Sequence, residues 1–231
     1  MTPALLPART VLIRLAGPLQ AWGTESRFGR RTTATEPSKS GVVGLCAAAL
    51  GRTRGDAVDD LAALAFGVRV DREGVVVRDF HTYGRDGFLR ASGKVERGEV
   101  KVSDRFYLAD AAFTAGLEAR TADGHALLDR IADALRAPRY PVVLGRRSCP
   151  PAEPVAVTTA PIHAALVDAL AAAPRTAREA ARERYVVDAD AVDPASLPGL
   201  RTVSAADDPV SSRDRRFRVR DAVVFHLPPP L

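Results

Sequence analysis

The residues best suited to chemistry stand in Arg78-Asp79-Phe80-His81-Thr82-Tyr83-Gly84. A histidine exchanges a proton near neutral pH, and a tyrosine or lysine can assist it in metal-independent RNA cleavage. His81, Tyr83 and Lys101 are therefore the candidates for a catalytic site. They read equally well as ordinary residues at the root of a hairpin. The other histidines, His125, His163 and His226, are distant in sequence. No His, Asp and Glu group has metal-ligand spacing, and Cys46 and Cys149 alone make neither a zinc site nor a disulfide framework. No cofactor is expected, and binding outranks catalysis.

Three other segments carry binding chemistry. Gly145-Arg146-Arg147-Ser148-Cys149-Pro150 sets two guanidiniums past a predicted strand end, where their forks suit phosphate oxygens. Pro37-Ser38-Lys39-Ser40-Gly41 lacks the glycine order of a nucleotide-binding loop, but it predicts a helix start with hydroxyls and an ammonium suited to one phosphate. A routine N-cap by Ser38 is compatible with that role. In Gly17-Pro18-Leu19-Gln20-Ala21-Trp22-Gly23, Gln20 is placed to hydrogen-bond a base and Trp22 to stack on one. Trp22 is also a natural core plug, as aromatics usually bury.

These segments need a frame. Thr10 to Ala16 reads as a strand, with Val11, Ile13 and Leu15 on one face and Leu12 and Arg14 on the other. A helix follows Ser38, with Val42, Leu45, Cys46, Ala49 and Leu50 inward and Gly51 as its stop. A short helix near Val58 to Ala65 leads to the strand Phe66 to Val70, and Glu73-Gly74 turns the chain into Val75 to His81. A glycine-rich insertion spans about 84–104, with a hairpin tip expected at Glu96-Arg97-Gly98-Glu99. Then come a strand at Ala112 to Ala119, a helix from Asp123 to Pro138 and a strand at Tyr140 to Leu144. This order predicts an α+β, ferredoxin-like (RRM-like) βαββαβ domain over 9–150 with an inserted hairpin. Its helices cover one sheet face and leave the other open for nucleotides. Residues 151–231 are expected to pack on it as a β-containing extension, with a possible helix over Ala160 to Leu170 and a final strand alternating Phe217, Val219, Val223 and Phe225 against arginines.

Composition fits a polyanion partner. The chain of 231 residues carries a net charge of +5, and only Lys39, Lys94 and Lys101 are lysines. Basic residues gather between Arg9 and Arg54 and again between Arg213 and Arg220, whereas Ala164 to Asp208 is comparatively acidic. The apolar runs are too short to span a bilayer and the N-terminus lacks signal-peptide character, so a cytoplasmic protein without membrane contact is expected.

Five segments in order resemble the fifth family of CRISPR-associated proteins, of the RAMP superfamily, in the form found in type I-E Cascade. They are Arg14 to Gly23, Pro37 to Gly41, Asp79 to Thr82, Arg105 to Phe113 and Arg139 to Pro150, with a looser likeness at Ser212-Arg213 and the last strand. The resemblance implies an inserted thumb that folds over a guide RNA. It also implies a non-catalytic cap on the CRISPR RNA 5′ handle, beside the Cascade backbone subunits and the large DNA-inspecting subunit, with target DNA contacted only indirectly. In another subtype the family itself cuts precursor RNA, which keeps the endoribonuclease alternative open. The resemblance singles out Arg105, Arg146, Arg147 and the helix start Ser38, Lys39 and Ser40; with Arg14, Gln20, Trp22, Tyr107 and Ser148 these are the expected RNA-binding residues.

Overall fold

The computed structural model describes residues 5–23, 29–90, 92–176, 183–197, 199–211 and 216–228. It is a β-rich α+β structure. Along the chain run β1 (Arg9–Ala16), β2 (Leu19–Gln20), β3 (Arg30–Arg31), α1 (Lys39–Ala49), α2 (Asp59–Ala62), β4 (Ala65–Arg72) and β5 (Val75–Tyr83). They are followed by β6 (Phe88–Leu89), β7 (Val95–Glu96), β8 (Lys101–Ala109), β9 (Ala112–Ala119), α3 (Ala122–Arg136), α4 (Leu166–Ala172), β10 (Glu183–Asp188), β11 (Arg201–Ser211) and β12 (Arg216–Leu227). The main sheet has the order β1-β9-β4-β10-β12-β11, with every neighbouring pair antiparallel.

The alternation in β1 sorts its side chains as expected. Val11, Ile13 and Leu15 enter the larger core with α1 and α3, and Leu12 enters a second core on the opposite face. Helix α1 starts where Ser38 Oγ accepts the Gly41 N–H at 3.2 Å, and Gly51 leaves it at φ +80°. Helix α3 buries Leu127, Leu128, Ile131 and Leu135 against the same face.

The second face is not open. Leu166 and Leu170 of α4 lie against Gly67 and Gly116, which pair across β4 and β9. A Cβ on Gly116 would stand 2.6 Å from Leu166 Cδ1, so the two glycines form the groove that admits the helix. Tyr185, Val187, Val223 and Phe225 complete this second core. The open face expected from the sequence is closed because the residues beyond 150 are part of the main sheet and its second core. Strands β10, β12 and β11 extend the main sheet, and α4, shorter than expected, covers the glycine stripe.

The strand expected at Tyr140 to Leu144 does not form. Arg139 and Tyr140 spend their N–H groups on Ala49 O and Ala48 O (2.9 and 3.2 Å), finishing the carbonyl end of α1. The place beside β1 is taken by residues 152–162. There Arg14 N–H reaches Val155 O at 2.7 Å, while Thr10 and Ile162 exchange bonds of 2.9 and 2.8 Å.

The insertion is longer than 84–104. β5 and β8 pair without interruption from Val75↔Ala109 to Tyr83↔Lys101, forming a two-stranded ribbon that leaves the main sheet at Gly74. Its tip is a second small ladder, β6 on β7, closed where Gly93 N–H meets Arg90 O at 2.9 Å. Glu96 is thus a ladder residue, and the turn lies earlier than the expected Glu96–Glu99. Glycine at 84 and 87, both at positive φ, lets the chain pass from one ladder to the next.

Candidate nucleic-acid interface

The expected site residues divide into two groups. Gln20 and Trp22 are fully buried, with only 1% of Trp22 exposed. Gln20 Nε2 donates to Leu15 O (3.0 Å) and Ala111 O (2.8 Å), and its Oε1 accepts the Trp22 indole N–H at 3.0 Å. Neither has a free edge or ring face for a base, which corrects the expectation. Their work is positioning. Trp22 N–H donates to Thr33 Oγ1 (2.9 Å) and Trp22 O accepts from Ala34 (2.7 Å), so the segment after β3 is hung from the tryptophan.

The turn at 144–149 is hung from the same place. Ala21 N–H donates to Leu144 O at 3.1 Å, and a Cβ on Gly145 would stand 1.9 Å from Ala21 O. Only glycine, here at φ +87°, allows that approach. A buried aromatic thus fixes two separate arginine-bearing segments against one support.

The phosphate site expected at the start of α1 is already filled from within. Lys39 N–H donates to Asp207 Oδ2 at 2.7 Å, and the buried Lys39 ammonium lies 3.1 Å from Asp188 and 3.7 Å from Asp208. Arg220 bridges Asp207 (2.7 Å) and Asp188 (2.6 Å), and Arg218 holds Asp208 at 3.0 Å. Burial alone would lower the Arg220 pKa, but these carboxylates raise it on balance. Three cations and three carboxylates close the network, leaving Lys39 and the buried Ser38 nothing to offer a ligand. Ser40, half-buried, lies 3.4 Å from Ser38 Oγ through its own hydroxyl. Arg14 is committed elsewhere, to Glu153 at 2.9 Å.

The second group comes together at the base of the ribbon. β3 runs parallel to β8 with Arg31 opposite Arg105 and Arg30 opposite Asp104. Arg146 Nη2 donates to Arg31 O (2.9 Å) and Thr32 O (3.1 Å), and its guanidinium lies 4.8 Å from the centre of the Tyr107 ring. Arg146 Nη1 is buried with no hydrogen-bond partner among the described residues. Arg30 stacks over Phe106 at 5.1 Å, and Arg105 Nε donates to Ser103 Oγ at 3.2 Å. Arg147 and Ser148 are exposed on the adjoining turn. Tyr107 is buried, so it supports Arg146 and offers no ring face to a base. Asp79 stands opposite Arg105 in the β5–β8 register, and Asp104 is taken by Arg78 at 2.8 Å.

Arg30 and Arg31 carry no motif in the sequence and lie between the first strand and the helix that follows Ser38. The excess of basic residues from Arg9 to Arg54 was the signal that pointed there. The arginines thus arrive from three segments at the β3–β8 pairing, with Arg31, Arg105 and Arg146 on the face of Tyr107 and Arg30 on the opposite face over Phe106. Guanidiniums gathered in this way suit the backbone of a single nucleic-acid strand.

His81, Tyr83 and Lys101 share one ribbon face, with Tyr83 opposite Lys101 and His81 opposite Ser103. Each has another engagement. His81 Nδ1 is 3.6 Å from Asp79, Tyr83 meets Phe88 edge-on, and Lys101 pairs with Glu99 at 2.5 Å. That ammonium holds the Glu99 carboxyl below its ordinary pKa.

The family of CRISPR-associated proteins described as Cas_Cas5 matches residues 10–223. The chain belongs to this family. The Cascade subunit CasD of Escherichia coli (strain K12) is 36% identical over 163 residues, which are 64% of this chain and 70% of that protein. A crystal structure of a Cas protein is 38% identical, superposes with a TM-score of 0.72, and is matched over 95% of both chains. A chain of a CRISPR RNA-guided surveillance complex is 35% identical with a TM-score of 0.74, over 95% of this chain and 91% of that one. The match thus includes residues 151–223, where the sequence likeness was loosest. Ser212-Arg213 lies outside the described residues.

Proposed function

We propose that this chain is a non-catalytic, CasD-like subunit of a Cascade surveillance complex that holds the 5′ handle of the CRISPR RNA. Its partners in this reading are the guide RNA, the backbone subunits and the large DNA-inspecting subunit. β1, α1, β4, β9 and α3 act as the ferredoxin-like frame, the β5–β8 ribbon is the thumb, and the part beyond residue 150 braces the frame. The carrying observation is the meeting of Arg31, Arg105 and Arg146 on one face of the β3–β8 pairing, with Arg30 on the other face of the same edge. The handle lies along that edge and not on the covered sheet face. It is held through its phosphates, which suits a guide whose other nucleotides must stay free to pair.

The test is titration of labelled repeat RNA with the chain, alone and assembled, in EDTA and in rising salt. Binding should weaken steeply with salt and the RNA should stay intact. The second reading, a metal-independent endoribonuclease, is favoured only by the shared face of His81, Tyr83 and Lys101. Cleavage in EDTA that disappears in His81→Ala would replace the first reading with the second.

A further inference from the structure

The ribbon has two edges of opposite character. Its β3 side carries the arginines, whereas β5 is an outer strand that pairs, among the described residues, with β8 alone. Nine residues long and in unbroken register, β5 contains no proline, no lysine and no bulge. These are the devices by which soluble proteins guard an exposed edge. Every second residue of such a strand points its N–H and C=O away from β8.

The side chains agree with the backbone. Val76, Phe80 and Val102 share one ribbon face, and Val75 and Val77 share the other; all five are exposed, Val75 at 67% and Phe80 at 64%. The only charges on β5 are Arg78, which Asp104 neutralises, and Asp79. An edge without net positive charge does not suit RNA, whose binding is driven by cations. It suits an extended polypeptide that supplies the missing hydrogen bonds and places apolar side chains on both faces.

We propose that β5 is a strand-addition edge, and that an extended segment of a neighbouring protein subunit pairs along Val75–Tyr83. That the partner is a subunit of the same assembly rests on the function proposed above. One strand of the ribbon would then be shared between proteins while the opposite edge holds nucleic acid, coupling RNA capture to assembly through β8.

Amide hydrogen exchange over residues 75–83 tests this in three samples. They are the free chain, the chain with guide RNA only, and the complex formed by co-expressing the chain with the other subunits and the guide. We expect exchange at alternate residues to slow by about tenfold or more in the complex alone. The paired substitution Val76→Lys with Phe80→Lys should lower incorporation into the complex by about tenfold or more, with unchanged melting and RNA affinity of the free chain. Unchanged exchange in a complex that contains both chain and RNA overturns the inference and leaves the proposed function standing. Slowing by RNA alone would place nucleic acid on this edge, and slowing that grows with concentration of the free chain would place a second copy there; either overturns it. A chain that never enters the complex defeats both proposals.

Discussion

Arg31 and Arg105 face each other across the β3–β8 pairing, and among the described residues neither has a carboxylate ion pair of the kind that holds Arg14 or Arg78. Each is free to meet a phosphate. Arg31→Ala and Arg105→Ala should each weaken RNA binding and reduce the slope of log affinity against log salt by about 0.7, the share of one single-strand phosphate. Titration at several salt concentrations measures this, and Arg14→Ala should leave the slope unchanged. The thiols make a separate case at this scale. Cys46 is fully buried, and desolvation pushes its pKa up to about 12. It stays protonated at pH 8, so iodoacetamide should leave it unlabelled in the native protein and label it after denaturation, as mass spectrometry would show.

Helix α1 and strands β11 and β12 are joined by buried charge. Removing one member unbalances the others: Lys39→Met takes away a buried ammonium and leaves Asp188 to Arg220 alone and Asp208 to Arg218 alone. We expect a loss of about 3–5 kcal/mol in stability, read by denaturant unfolding, with no change in the RNA affinity of the folded fraction. A large drop in affinity at unchanged stability would restore Lys39 to the binding surface. The start of this helix was legible in part. Ser38, the apolar spacing and Gly51 together define its limits, because capping and periodicity are local properties. The occupant of its N-terminus was not legible, because Asp207 lies 168 residues further on.

The molecule is organised around one continuous sheet with a core on each face. β10 pairs with β4 through Arg184↔Val70 to Val187↔Gly67, so the later part of the chain completes the earlier one. A chain ending at residue 150 would lose α4, uncover Gly67 and Gly116, and expose the edge of β4. It should therefore be insoluble or lack fixed tertiary structure, as near-ultraviolet circular dichroism and light scattering would reveal, whereas the full chain should melt as one cooperative unit. The arginine cluster belongs to this scale as well, since it draws on residues more than 110 positions apart.

From its residues alone the chain settled where α1 and α3 begin, which side of β1 is apolar, and that positive charge is unevenly spread. Those properties depend on neighbours within a few residues. The resemblance singled out Arg105, Arg146 and Arg147, but not the partners they meet. Only the folded chain decided that Trp22 is a support, that Lys39 is sealed in by acids, that α4 closes the second face, and that Arg30 and Arg31 lie beside β8 near Arg105. Periodicity says that a surface must be covered or a charge balanced. Which distant segment does so depends on how the whole chain packs.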